Sequence, residues 1–470
     1  MIAKITKATA VVILTVLVCA GTQAPAATLH VDPNDPSMLS SIQDAIIVSK
    51  SFGTVIVHPG VYREAIDFIA KAITVQSTDP NDPDIVARTI IDGGGKTVVA
   101  FQSGEKERAI LSGFTIRNGD TGIRCAPEYT RPQIRQCVIT SNKSSGISGG
   151  APSITRCTVT QNGADGITSR ASTVMGCTIA QNTGSGINGG AGDILDCVVV
   201  NNGGSGVEMS YLTATNVRMA ECLISGNQGD GVLFSYNTFA KVVNCVVSGN
   251  KGYGIRGSNG AHVVVTNCTI VRNRDTGTIS SYPAEVSNSI VAYNGGIGLW
   301  NAESRYNNLF GNAGGDYSDV GTRIADIQEE PLFVDIGYWD KSGTWHDGDY
   351  HLMSKLGRWD PVAATWVIDP VDSPCLDRGD PNAPVGREPN PNGDRINLGG
   401  YGGTAQASKS PGVSPLCTGY PEMDFNKDCK VDLADFAAFM EHWLDCNLDD
   451  SNACWPAGIP ATPVVPDTQP

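Results

Sequence analysis

The sequence predicts an all-β molecule, a stack of short and nearly identical coils, followed by a small cysteine-bearing tail. Three observations carry this. A cysteine–aliphatic–asparagine–glycine pattern returns about every 20 residues from Cys137 onward. Glycine is abundant, 54 of 470 residues, but without the G-X-Y period of collagen. After Ser410 the coil period stops and four cysteines fall close together. The formal charge is −15, which argues against nucleic acid or an anionic membrane surface as partner.

Residues 1–26 read as a secretory signal. Lys4 and Lys7 precede a short apolar run, and Ala24-Pro25-Ala26 is a small-residue cleavage site. The run is too short to span a bilayer, and no other membrane span is evident. A secreted or cell-surface location is expected.

The repeat occupies the middle of the chain. With Cys137, Cys157, Cys177, Cys197, Cys222, Cys245, Cys268 and Ser289 as position zero, the steps are 20, 20, 20, 25, 23, 23 and 21. Position +2 is Ile or Val, and +5 is always Asn, from Asn142 to Asn294. Position +9 is always Gly, and +10 is aliphatic except for Thr278. Position −3 is aliphatic except for Met219. A degraded copy keeps Leu309 and Asn312, and an earlier one holds Phe114, Ile116 and Asn118. Twenty residues is too short for a helical hairpin but fits three short strands with tight bends. Positions −3, 0, +2 and +10 then face inward, each over its counterpart about 4.8 Å away in the next coil. The asparagines should form a ladder and sit at a left-handed bend. The +9 glycine suits a positive φ or a close backbone approach. Stacked cysteines lie within disulfide range, but buried free thiols are the better reading, because free cysteine packs as a small apolar residue. One coil cannot bury its own face, so only stacking makes a core.

This pattern resembles the right-handed single-stranded parallel β-helix of the pectin-lyase-like superfamily. The amphipathic segment 41–47, GTVIVHPGVYRE (53–64) and the stretch 71–95 are similar to its capping segment and first coils. SPCLDRGDP and PNGDRINLGGYGGTAQASKS (373–381 and 391–410) are similar to the closing segment of planctomycete-type secreted β-helix proteins. The resemblance implies a β-helix of about ten coils over 27–320 and an irregular closing region over 321–410.

The tail, 411–456, carries DFNKDCKVDLADFAAFMEHWL. Asp424, Asn426, Asp428, Asp432 and Asp435 occupy positions 1, 3, 5, 9 and 12 of a calcium loop, and the Lys430 carbonyl occupies position 7. A helix with Phe436, Phe439, Met440 and Trp443 on one face follows. The segment is similar to half of a dockerin, with Cys429 where such loops favour Gly and with one loop rather than two. The resemblance implies bound calcium and a cohesin-like or cell-surface protein partner. Cys417, Cys429, Cys446 and Cys454 leave the disulfide pairing open. Residues 457–470 are Pro-rich and expected to be disordered.

Superfamily members cleave or modify acidic polysaccharides. The first four coils offer few outward functional groups. The longer coils from Cys197 place Glu208 and Arg256 at +11, Tyr211, Tyr236 and Tyr282 at +14, and Arg218 and Lys241 at −4. The tyrosines suit sugar stacking, and the cations suit uronate carboxylates. The same residues also fit loop packing and a solvated charged face. A second aromatic surface lies in 323–378, with Trp339, Trp345, His346, His351, Trp359 and Trp366. The paired aspartates and Gly-His-Gly of polygalacturonases are absent. Two functions follow: a polysaccharide-binding or surface-scaffold protein with a calcium-dependent tail, or a pectate-lyase-like or hydrolytic enzyme acting on uronate polymers.

Overall fold

The computed structural model describes residues 28–190, 192–209, 216–410 and Met423. The signal segment, Tyr211, the calcium loop (Asp424, Asn426, Asp428, Lys430, Asp432 and Asp435) and the tail cysteines lie outside the described residues. The chain divides into two compact units, 1–410 and 411–470.

The repeat becomes a parallel β-solenoid. Position +2 pairs coil to coil from Ile139 through Val159, Ile179, Val199, Ile224, Val247 and Ile270 to Val291. Position −3 does the same from Ile134 to Val286. Position +10 runs from Ile147 to Leu299. One flank is a 12-stranded sheet. The other two flanks join into a 23-stranded sheet, because the last coils run their two strands together, as in Thr278–Ser287. The stacked aliphatic residues and cysteines fill one continuous core.

The stack has about 13 turns, not ten. Its first coils build the core from Val31, Val55, Val75, Ile91, Phe101 and Leu111, without the cysteine or asparagine that marks the later ones. Helix Ile42–Val48 closes the N-terminal end and buries Ile42, Ala45 and Ile46. The Glu64 carboxylate accepts from the N–H groups of Ile42 (2.8 Å) and Gln43 (3.1 Å) at the helix start. Lys71 Nζ donates to the Ile46 and Ser49 carbonyls at its end, each at 2.7 Å. Each charge opposes the helix dipole at its own terminus.

The asparagine ladder runs unbroken from Asn142 to Asn312. Each Nδ2 donates to the next Oδ1, at 3.0 Å for Asn142 to Asn162 and 2.9 Å for Asn294 to Asn312. The same Oδ1 also accepts the preceding asparagine's backbone N–H, as at Asn250 from Asn227 (3.0 Å). The left-handed bend falls elsewhere than expected. Positive φ occurs at −1 and +4, for example Gln136 and Ser141, or Glu221 and Gly226. Asn118 is one of these corners, so it lies off the ladder. The +9 glycines serve close approach instead: a Cβ at Gly146 would lie 2.6 Å from Val159 Cγ1 and 2.8 Å from the Gly166 carbonyl. The ladder cysteines are all free thiols; the neighbouring thiols of Cys197 and Cys245, with burial, push Cys222 well above the usual thiol range, and burial does the same to Cys245.

The closing region does more than seal an end. After the last solenoid strand, Tyr317–Ile324, it turns back along the outer face of the 12-stranded sheet. There Phe333, Tyr350, Leu352, Leu376 and Leu398 form a second core with Val246, Val271, Ile290 and Ala292. Trp345 is 7% exposed, and its indole N–H donates to Ser225 Oγ at 2.9 Å. Gly226 and Gly249 leave room for its ring: a Cβ at Gly249 would lie 2.0 Å from Trp345 Cε2. The strap that follows is held by corner asparagines. Asn244 Nδ2 donates to the Gly402 carbonyl at 2.6 Å, and Asn288 Oδ1 accepts from Asp380 N–H at 2.8 Å. Beneath it Glu388 is buried, 7% exposed. Its Oε1 accepts the N–H groups of Asn397 (2.9 Å) and Gly403 (2.7 Å), while Oε2 has no partner.

Candidate functional site

The outward face of the strands at −3 brings several chemical side chains together. Asp193, Arg218 and Lys241 are successive partners across three strands. Two residues earlier on the same strands, Asn216 pairs with Phe239 and Phe239 with His262. The rings continue coil to coil: Phe239 to His262 at 5.1 Å, and His262 edge-on to Tyr282 at 5.3 Å. Lys241 Nζ lies 5.7 Å from the Phe239 ring centre. His262 Nε2 is 3.2 Å from Glu285 Oε1. Asp193, Asn216, Arg218, Phe239 and Lys241 line an open groove of about 350 Å³. Parallel pairing forces this arrangement, because equivalent positions must stack one strand apart.

The structure brings Arg218, Lys241 and Tyr282 onto this face and separates the rest. Tyr282 is 56% exposed and meets His262, not another tyrosine. Tyr236 sits at the corner after Val232–Phe234 with φ 57°, so no row of +14 tyrosines forms among the described residues. Glu208 and Arg256 lie on the neighbouring flank, with Leu233 between them in register. Glu208 accepts from Ser185 Oγ at 3.3 Å. Arg256 lies 3.7 Å from Asp230 and over Tyr253. Burial raises the Asp230 carboxyl above its usual range, against the Tyr253 N–H and Arg256.

His262 and Phe239 were not singled out from sequence. The signal was available: both sit at −6, Phe239 two residues before Lys241 and His262 at the same place in the next coil. In the second aromatic surface Trp345 and His351 are buried, His346 is exposed, and Trp339, Trp359 and Trp366 are half-buried. His351 is buried and stacks on Tyr401 at 3.8 Å, Trp339 lies 4.1 Å from Arg274, and Trp366 meets Trp359. Among the described residues no three His, Cys, Asp or Glu side chains are grouped to hold a metal ion. No helix among them is long and apolar enough to cross a membrane.

The sequence profile of the family described as the right handed beta helix region matches residues 74–192 and 187–315, just over half of the chain. The chain belongs to this family. No curated protein matches this right-handed β-helix chain by sequence. Among solved structures, it is similar to pectate lyase Pel9A at 13% identity, with 80% of this chain and 96% of that one covered and a TM-score of 0.48. It is similar to the A-module of Azotobacter vinelandii mannuronan C-5 epimerase AlgE4 at 14% identity, with coverage of 61% and 91% and a TM-score of 0.41. Neither likeness bears on activity.

Proposed function

We propose that this right-handed β-helix protein is exported and binds a carboxylate-bearing polysaccharide along the Arg218–Lys241–Phe239–His262–Tyr282 face. The observation that carries the reading is the pairing of Arg218 with Lys241 beside a row of rings in an open groove. Cations meet the carboxylates, and rings cover the apolar faces of sugars. Coil stacking repeats such contacts at each strand spacing, which suits a repeating polymer. The calcium-loop tail would attach the protein to a cohesin-like or surface partner, making the solenoid a displayed scaffold.

Titration of uronate polymers and neutral glucans against the full chain tests this. Binding to the uronate polymer should weaken with salt, and about tenfold in Arg218→Ala/Lys241→Ala. Equal affinity for both polymers, or no loss in the double variant, rejects it. Calorimetry with calcium tests the tail separately: no heat with wild type rejects the metal site.

His262 favours the second reading, a lyase or related uronate-modifying enzyme. Its imidazole lies 3.2 Å from Glu285 on the same face as two cations, the side-chain types that proton abstraction beside a neutralised carboxylate requires. Unsaturated products from a uronate polymer, lost in His262→Ala, establish it. Binding without turnover excludes it.

A further inference from the structure

At the N-terminal end, far from this groove in sequence, two imidazoles meet. Strand Thr28–Val31 pairs in parallel with Thr54–Val57, so His30 lies opposite Ile56. His58 follows that second strand, and its N–H donates to the Val31 carbonyl at 2.9 Å. Its ring thereby comes to lie beside that of His30, centre to centre 5.5 Å. His30 Nδ1 and His58 Nε2 are 3.2 Å apart.

The geometry points to a binding site for an imidazole-preferring divalent metal ion, such as zinc, held by His30 Nδ1 and His58 Nε2. Two zinc–nitrogen bonds of ordinary length spanning that separation enclose an angle of about 100°, close to tetrahedral. Asp32 Oδ2 lies 3.8 Å from Nδ1, the other nitrogen of His58. A carboxylate there favours the tautomer with the proton on Nδ1, which leaves the Nε2 lone pair facing His30. Asp35 adds a second negative charge within electrostatic reach of His58. Both segments are fixed by one phenol: Tyr62 Oη is 2.8 Å from the His58 carbonyl and 3.2 Å from the Val31 carbonyl. The His58 side chain keeps 29% exposure, enough for a hydrated ion to arrive. With no third protein ligand grouped there among the described residues, water completes the coordination. The competing reading is a plain hydrogen bond between two neutral rings, which needs no ion.

Zinc calorimetry on the full chain, with calcium in excess to occupy the tail loop, decides between them. Cobalt absorption serves as a second readout of coordination. One zinc per chain should be lost in His30→Ala and in His58→Ala, and affinity should fall about tenfold in Asp32→Asn. The cobalt spectrum should be that of a four-coordinate ion and vanish in both histidine variants. Zinc should also raise the melting temperature of wild type but not of these variants. Where an alanine variant melts early, the Gln replacement at the same position is the comparison. Wild type that takes up no zinc, or histidine variants that bind the same amount with the same affinity, overturns the site.

Discussion

Replacing Glu388 with Gln should flatten part of the pH dependence of stability. In the native strap this carboxyl is buried, with one oxygen bonded to two backbone N–H groups and the other unpartnered. Burial raises it from 4.5 to about 7, and the nearby Asp377 carboxyl pushes the same way. The folded state therefore holds a proton that the unfolded chain has released. Stability from this group is complete below pH 4.5 and is lost as pH rises toward 7. The span of about 2.5 pH units, at about 1.4 kcal/mol each, gives a loss of about 3 kcal/mol. Glu388→Gln keeps an oxygen for Asn397 and Gly403 but has no proton to lose. Denaturant melts of both proteins at pH 4.5, 5.5, 6.5 and 7.5 measure the difference, and other titrating groups cancel in the comparison. The variant should gain about 3 kcal/mol on wild type between the two extremes. A difference that stays constant with pH refutes the reasoning.

Asn227→Ala should cost about 3–5 kcal/mol, because it orphans the Asn202 backbone N–H, takes one of the two acceptors from the Asn202 amide and removes a donor from the Val199 carbonyl. A melt within about 1 kcal/mol of wild type would show that the ladder adds little net stability. Gly249→Ala should cost about 3 kcal/mol from its left-handed φ and the Trp345 ring, and only about 1 kcal/mol in a Trp345→Ala background. A double-mutant cycle without coupling contradicts that contact. The nine described free cysteines are all buried and should resist a soluble thiol reagent until the chain is denatured. Fast modification of the native coils counts against the packed thiol row.

What faces inward was legible. Cys, Ile or Val at +2 and Asn at +5 repeat because each stacks directly on its own copies in the neighbouring coils, so stacking restricts them directly. The first coils escaped the count because Val, Ile and Phe fill the same positions there and carry no distinctive polar mark. The corners at −1 and +4 were hidden for another reason: Gln, Arg, Asp, Glu, Asn, Ser and Gly all occupy them, so no single residue type signals the bend. The folded-back closing region had a trace that went unread. Outward positions that are Thr158 and Thr160 in an early coil become Ile290 and Ala292 later, and these are the residues it covers. The groove was half legible. Arg218 and Lys241 follow from the period, and so do Phe239 and His262 at −6, whereas Tyr282 reaches His262 only because the later strand Thr278–Ser287 runs on through the flank.

The asparagine ladder has a direction, and that gives the molecule a counting rule. Every amide accepts from the coil before it and donates to the coil after it. After Asn312 the next partner is Asp316, whose Oδ1 takes the Asn312 amide at 2.8 Å while Gln328 takes Oδ2. Beside it, Asp326 receives the Asn307 N–H at 2.9 Å. An ionised carboxylate accepts but has nothing to hand on. A coil duplicated inside the ladder would relay the bonds unchanged, whereas one added beyond Asp316 would find no donor to continue from. Solenoid length can therefore drift by internal copying, while the terminus stays chemically marked as the last rung.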